Sequence, residues 1–201
     1  ESFYKFYNLT SKNNVIAHFN EWMTTFGEFY IKEKVPEIAT IFTTHATTIG
    51  RSIAGNNKPL YDYMNAYNGD QMAFELNVAS KHSTEKIGAY ASDCFTTVSK
   101  ITGIECKQLL ERNPDIITPN GFEDSFVPKG KDFDAKRKNA RERLKLVAET
   151  LFGYSLKDDV LFVNTAGRYE YKNKGIDIFI ESLKNLSMHA GLKKEIVAFI
   201  M

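Results

Sequence analysis

Short apolar runs recur along this chain, each followed by a longer amphipathic stretch, and that alternation limits the possible folds more than any single residue does. Residues 15–19 read as a strand, after which Trp22, Met23, Phe26, Phe29 and Tyr30 recur at helical spacing. Residues 39–44, 94–98 and 115–118 have the length and composition of further strands, the last leading into the sharp turn Pro119-Asn120-Gly121. Ser99 is placed to cap a helix running to Arg112. The polar stretch from Thr47 to about Tyr90, broken by Gly55, Pro59 and Gly69, reads as a helical insertion over residues 56–90. Parallel strands need crossovers and bury both faces under helices, so the expected fold class is α/β with parallel sheets.

The pattern breaks once. Residues 129–145 hold eight Lys/Arg and three Asp/Glu, a local balance of 8 − 3 = +5, and Leu144, Val147, Ala148, Leu151 and Phe152 then share one helical face. The alternation resumes with a strand at 160–164, a polar loop to Lys174, a helix carrying Ile176, Phe179, Ile180, Leu183 and Leu186, and a strand at 196–200. The basic segment therefore reads as the joint between two sheets: residues 1–127, a connector at 128–157, and residues 158–201. It is either a solvated helix face or a surface for a glucan or a partner. Residues 2–10 look helical, the chain opens on Glu1 rather than Met, and it closes on an apolar run; it reads as an internal piece of a larger enzyme.

Composition narrows the function. With 26 Lys+Arg against 25 Asp+Glu, the net charge of +1 gives no global attraction to nucleic acid or an anionic membrane. No run approaches the ~18 apolar residues of a membrane span. Two cysteines, Cys94 and Cys106, form neither a disulfide framework nor a CxxC pair, and a reducing compartment is the default. The four histidines are scattered with no HExxH spacing, so no metal is expected. GxGxxG and GxxxxGK[ST] are absent, since Asn56-Asn57 stands where a phosphate-reaching Lys would be, and no cofactor is expected.

Open parallel sheets bind ligands at the carboxyl ends of their strands. The residues just past each strand are Asn20 and Glu21, His45, Ser99, Asn120, and Ala166-Gly167-Arg168, and a cleft lined by both sheets is expected to collect them. Arg168 and Lys174 flank a helix start, where free N–H groups favour an anion; together they suit a phosphate clamp that stabilises a departing pyrophosphate with fixed charge. The residues alone leave each choice open. Arg168 and Lys174 also suit a solvated ion pair with Glu170, His45 a helix cap, and Glu21 a capping box.

Six ordered blocks bear on the choice. Ala17-His18-Phe19-Asn20-Glu21-Trp22, Ala39-Thr40-Ile41-Phe42-Thr43-Thr44-His45-Ala46-Thr47, Gly50-Arg51, Phe95-Thr96-Thr97-Val98-Ser99, Pro114-Asp115-Ile116-Ile117-Thr118-Pro119-Asn120-Gly121 and Ala166-Gly167-Arg168-Tyr169-Glu170-Tyr171-Lys172-Asn173-Lys174-Gly175 resemble the eukaryotic-type glycogen synthases, a family also found in some bacteria. The likeness runs from about residue 13 to the end. It implies two facing Rossmann-like domains of the GT-B type, both incomplete here, in a retaining glucosyltransferase. That enzyme type moves glucose from UDP-glucose, or ADP-glucose, to the non-reducing end of glycogen or another α-1,4-glucan.

By the same resemblance, Arg168 and Lys174 match the donor-phosphate clamp, Arg51 an arginine reaching the phosphates, His45 the histidine against the donor glucose, and Glu21 an acidic residue of the acceptor side. Asn120, by its place after a strand, joins Asn20, Glu21 and Arg51 as a substrate contact. Asn20 departs from the family, which usually has His there; Asn keeps hydrogen bonding but cannot titrate. The expected setting is cytoplasmic, with a homo-oligomer in the full-length form. The acidic residue and base contacts of the second domain fall outside this chain, so the piece alone is expected to be inactive.

Overall fold

The structure, a computed structural model, describes residues 2–7 and 15–201. It forms two compact units, one ending at Asn120 and the other spanning Gly121–Met201. The opening helix, α1 (Ser2–Phe6), ends in a turn at Tyr7, and residues 8–10 of the expected 2–10 helix lie outside the described residues.

The first unit is a four-stranded parallel sheet with its strands in sequence order: β1 (Ile16–Asn20), β2 (Ala39–Thr44), β3 (Cys94–Thr97) and β4 (Ile116–Ile117). Phe19 pairs with Phe42, Phe42 with Phe95, and Thr97 with Ile117, so the carboxyl ends of the strands lie side by side. Each crossover is helical. It is α2 (Thr25–Lys34) after β1; α3 (Thr48–Gly55), α4 (Gly69–Glu75) and α5 (Ala79–Ala91) after β2; and α6 (Lys100–Leu109) after β3.

Phe42 and Phe95 stack with ring centres 6.0 Å apart, and both are fully buried against Ala89, Cys106 and Leu110 of the helical layer. Truncating either ring would cost about 3–5 kcal/mol. The opposite sheet face carries a polar ladder instead, His18 Nε2 to Thr43 Oγ1 at 2.7 Å and Thr43 Oγ1 to Thr96 Oγ1 at 2.5 Å.

Several details go beyond the sequence pattern. Within residues 56–90, Leu60, Met64, Met72 and Ala73 build a buried cluster with Ile49, Ile53 and Leu109. The aromatic stripe of α2 does not face the core: Phe26 is 65% exposed, while Thr25 and Glu28 are fully buried. The cause is close helix approach at Gly88, where even a methyl group would lie 2.6 Å from Thr25 Cγ2. Helix α6 is capped as expected, Ser99 Oγ accepting from the Thr102 N–H, but it stops at Leu109 because Glu111 turns left-handed (φ 58).

The second unit contains α7 (Lys131–Phe152), β5 (Leu161–Thr165), α8 (Ile176–Ser187) and β6 (Ile196–Ile200), with β5 and β6 parallel in a sheet of their own. Its core is Ala148, Leu156, Val160 and Val197, with Phe162 and Phe199 packed against it. Within the basic run, Arg141 donates to the carbonyl of Asp158 at 2.8 Å and to that of Val160, and its guanidinium lies 5.0 Å from the Phe162 ring centre. Lys145 pairs with Asp158 at 2.7 Å. That edge of α7, with Glu149 accepting from the Leu156 N–H, is what docks on β5. The expected apolar stripe is therefore mostly uncovered in this unit: Ala148 is buried, but Leu151 is 77% exposed.

Candidate functional site

At the carboxyl ends of β1 and β2, four of the expected residues come together. The imidazole Nε2 of His45 lies 3.1 Å from Asn20 Oδ1, and the His45 backbone N–H donates to Glu21 Oε1 at 3.0 Å. The same Glu21 oxygen faces the Arg51 guanidinium at 4.0 Å. Arg51 stands in the first turn of α3, a helix capped by Thr47, whose Oγ1 accepts from the Gly50 N–H at 3.0 Å. The cap expected of His45 is thus made two residues later, and its imidazole is left at the half-buried surface.

Glu21 has a backbone conformation of φ 64, ψ 161, a region that is essentially glycine-only and costs on the order of 1–3 kcal/mol for other residues. Such a conformation persists only where the surroundings over-determine it. Here they do: the Glu21 N–H donates to the Thr43 carbonyl at 2.9 Å, and Thr24 Oγ1 donates to the carbonyls of Asn20 and Glu21 at 2.9 and 3.2 Å. Glu21 makes no capping-box bond. Its side chain instead turns to His45 and Arg51.

Behind the β2–α3 loop lie two buried carboxylates that the sequence patterns do not single out. Glu85 of α5, fully buried, accepts from Thr44 Oγ1 at 2.5 Å and from the Thr48 N–H at 2.8 Å. Glu105 of α6, 4% exposed, accepts from Thr47 Oγ1 and from the Tyr61 hydroxyl, each at 2.8 Å. Burial pushes the Glu85 carboxyl up to about 7, and the nearby Glu21 charge pushes the same way. A helical signal exists in hindsight: His82, Glu85, Gly88 and Ala89 form one buried i, i+3, i+4 face of α5, and small neighbours mark close packing.

Asn120 is exposed in the segment after β4. In the second unit, the loop after β5 carries both Arg168 and Lys174. Arg168 pairs with Glu170 at 3.1 Å with its side chain 69% exposed, an interaction worth about 1 kcal/mol or less. The Lys174 N–H donates to the Glu170 carbonyl at 2.9 Å, and a methyl at Gly167 would meet the Lys174 stem at 3.8 Å, so one turn gathers these residues. Lys174 precedes α8 rather than opening it, because Gly175, left-handed at φ 65, is the N-cap. A glycine serves there because an L side chain would strain that backbone.

Among the described residues, no three His, Cys, Asp or Glu side chains gather as a metal-binding group, and no helix is long and apolar enough to cross a membrane. A family model described as glycogen synthase matches residues 2–201. Among curated relatives, the chain is 39% identical to a glycogen (starch) synthase of Dictyostelium discoideum, over 98% of this chain and 23% of that protein. It is 36% identical to the liver glycogen (starch) synthase of Rattus norvegicus, over 94% of this chain and 28% of that protein. It is also 36% identical to isoform 1 of Saccharomyces cerevisiae, over 96% and 28%. The chain thus spans about a quarter of the length of the curated relatives it matches. A family-model match over this whole range, together with relatives 36–39% identical over nearly all of it, places the chain in the glycogen synthase family.

Proposed function

We propose that the protein containing this chain is a glycogen synthase, transferring glucose from a nucleotide sugar, UDP-glucose in preference to ADP-glucose, to the non-reducing end of an α-1,4-glucan with retention of configuration. The observation that carries this reading is the strained Glu21, held between the His45 N–H and the Arg51 guanidinium at the ends of two parallel strands. Strain of this kind is retained where it aims a side chain at a ligand. In this reading His45 lies against the donor glucose, Arg51 reaches its phosphates, and Asn20, Glu21 and Asn120 contact sugar on the acceptor side. Asn20 accepts or donates through its amide, so its sugar contacts do not change with pH.

Arg168 and Lys174 hold the donor pyrophosphate. As the glycosidic bond breaks, charge grows on the leaving phosphate, and preorganised cations stabilise that charge more than the ground state. The Arg168–Glu170 pair is weak and exposed, so a pyrophosphate offering bidentate contacts displaces Glu170. In this reading residues 1–127 belong to the second half of an N-terminal Rossmann-like domain, residues 128–157 are the connecting helix, and residues 158–201 begin the nucleotide-sugar domain. The two free thiols fit a cytoplasmic setting, and the family reading fits a homo-oligomer.

The test is transfer by the full-length protein from labelled UDP-glucose to glycogen, alongside ADP-glucose and monosaccharide acceptors. Chain extension of glycogen with UDP-glucose is the expected result. Preference for a monosaccharide acceptor would identify a different retaining glycosyltransferase, and glycogen binding without transfer a silent glucan-binding homologue.

A further inference from the structure

Outside the strand-end residues, Glu85 and Glu105 present an unexplained expense, since a buried carboxylate costs several kcal/mol more to desolvate than an apolar side chain of similar size. Their hydrogen bonds show where that expense goes. Both oxygens of Glu85 are taken by loop 44–48, one by the Thr44 hydroxyl and one by the Thr48 N–H. One oxygen of Glu105 is taken by Thr47 and the other by Tyr61. Across the sheet, Thr97 Oγ1 donates to the Thr44 carbonyl at 2.8 Å. With the Glu21 contact to the His45 N–H, the peptide around His45 is tethered from α5, α6, β3 and the end of β1. None of these tethers uses the imidazole itself.

Gly50 is part of the same arrangement. A methyl group there would lie 2.5 Å from Thr47 Oγ1 and 2.6 Å from Glu105 Oε2, so the approach of α3 to α6 leaves no room for a side chain. We infer that Glu85 and Glu105 are positioning residues, two buried carboxylates reaching from α5 and α6 to clasp loop 44–48 and thereby fix where His45 meets the sugar. This inference rests on the proposed place of His45 against the donor glucose. The carboxylates touch no substrate; they act through the loop.

The consequence is a split between turnover and binding. Most donor contacts lie elsewhere, so loosening the loop misplaces one group, and a misplacement of about 1 Å costs on the order of 10²-fold in rate. In the full-length enzyme, Glu85→Leu is expected to lower kcat by roughly 10- to 100-fold while the KM for UDP-glucose moves less than about threefold. Glu85→Gln is expected to stay within about threefold of wild type, because its amide can accept from the Thr48 N–H and donate to Thr44 Oγ1.

The deciding measurement is a double-mutant cycle. If Glu85 acts through His45, adding Glu85→Leu to His45→Ala lowers the residual rate by less than about threefold. Should Glu85→Leu fail to fold, Thr44→Val, which removes one hydroxyl at constant shape, enters the same cycle. Losses that multiply in full in the His45→Ala background, or an unchanged kcat in folded Glu85→Leu, would overturn the positioning role. Absence of any glucosyl transfer by the wild-type enzyme would instead overturn the proposed function, on which His45 depends.

Discussion

Replacing Glu21 by glycine and, separately, by alanine separates the backbone strain at this residue from its side-chain contacts. Both variants lose the carboxylate that accepts from the His45 N–H, a charge-assisted bond worth about 1.5–3 kcal/mol. Only alanine keeps a Cβ at φ 64, ψ 161, where the strain is on the order of 1–3 kcal/mol. Glycine escapes that strain but gives back about 0.5–1 kcal/mol through the freedom of the unfolded chain. The Glu21→Gly variant should therefore be more stable than Glu21→Ala by about 1–2 kcal/mol, although glycine is ordinarily the more destabilising choice. Amide exchange followed by mass spectrometry on the peptide covering residues 16–34 of the full-length protein reads this locally. Protection in the glycine variant should exceed that in the alanine variant by roughly 5- to 30-fold. Equal protection, or faster exchange in the glycine variant, would refute the strain argument.

Three further outcomes follow from the same geometry. The Glu85 carboxyl, raised from an ordinary 4.5 to about 7, contributes stability that is present below 4.5 and lost as pH rises through about 7. Relative to wild type, Glu85→Gln should gain on the order of 3 kcal/mol between pH 4.5 and 8 in denaturant titrations; an unchanged difference would show that folding leaves the Glu85 carboxyl at its ordinary value. Gly50→Ala should destabilise by about 1–3 kcal/mol and lower kcat with it, measured by urea titration and transfer assay, because the new methyl intrudes on both Thr47 and Glu105. Arg168→Ala should lower kcat by about 10²- to 10³-fold with a smaller effect on donor binding, and Arg168→Lys should rescue only in part; near-normal turnover would mean that the leaving phosphate is stabilised otherwise.

The strands and their parallel pairing were legible because short apolar runs between turn residues carry that information locally, and Ser99 as a helix cap is a local signal too. The helical spacing of the α2 aromatics does not reveal which face of the helix is buried: the close contact at Gly88 admits Thr25 and Glu28, and Phe26 stays exposed. That is a tertiary fact with no trace in the helix's own sequence. Strand-end reasoning found Asn20, Glu21 and His45, since the topology of a parallel sheet fixes where strands end. Arg51, one turn into α3, entered only through its resemblance to a family motif. Glu85 and Glu105 escaped because a carboxylate on an amphipathic helix reads as solvated, and only the packing of α5 and α6 behind loop 44–48 makes it buried.

Whether the cluster at the ends of β1 and β2 is the glucosyl-transfer site is decided by turnover of His45→Ala in the full-length protein at saturating UDP-glucose. The imidazole is half-buried and touches Asn20 at 3.1 Å, so the substitution should leave the melting temperature nearly unchanged. A transfer site there means a fall in kcat on the order of 10²- to 10³-fold in a fully folded protein. A folded His45→Ala enzyme that turns over at close to the wild-type rate would contradict it.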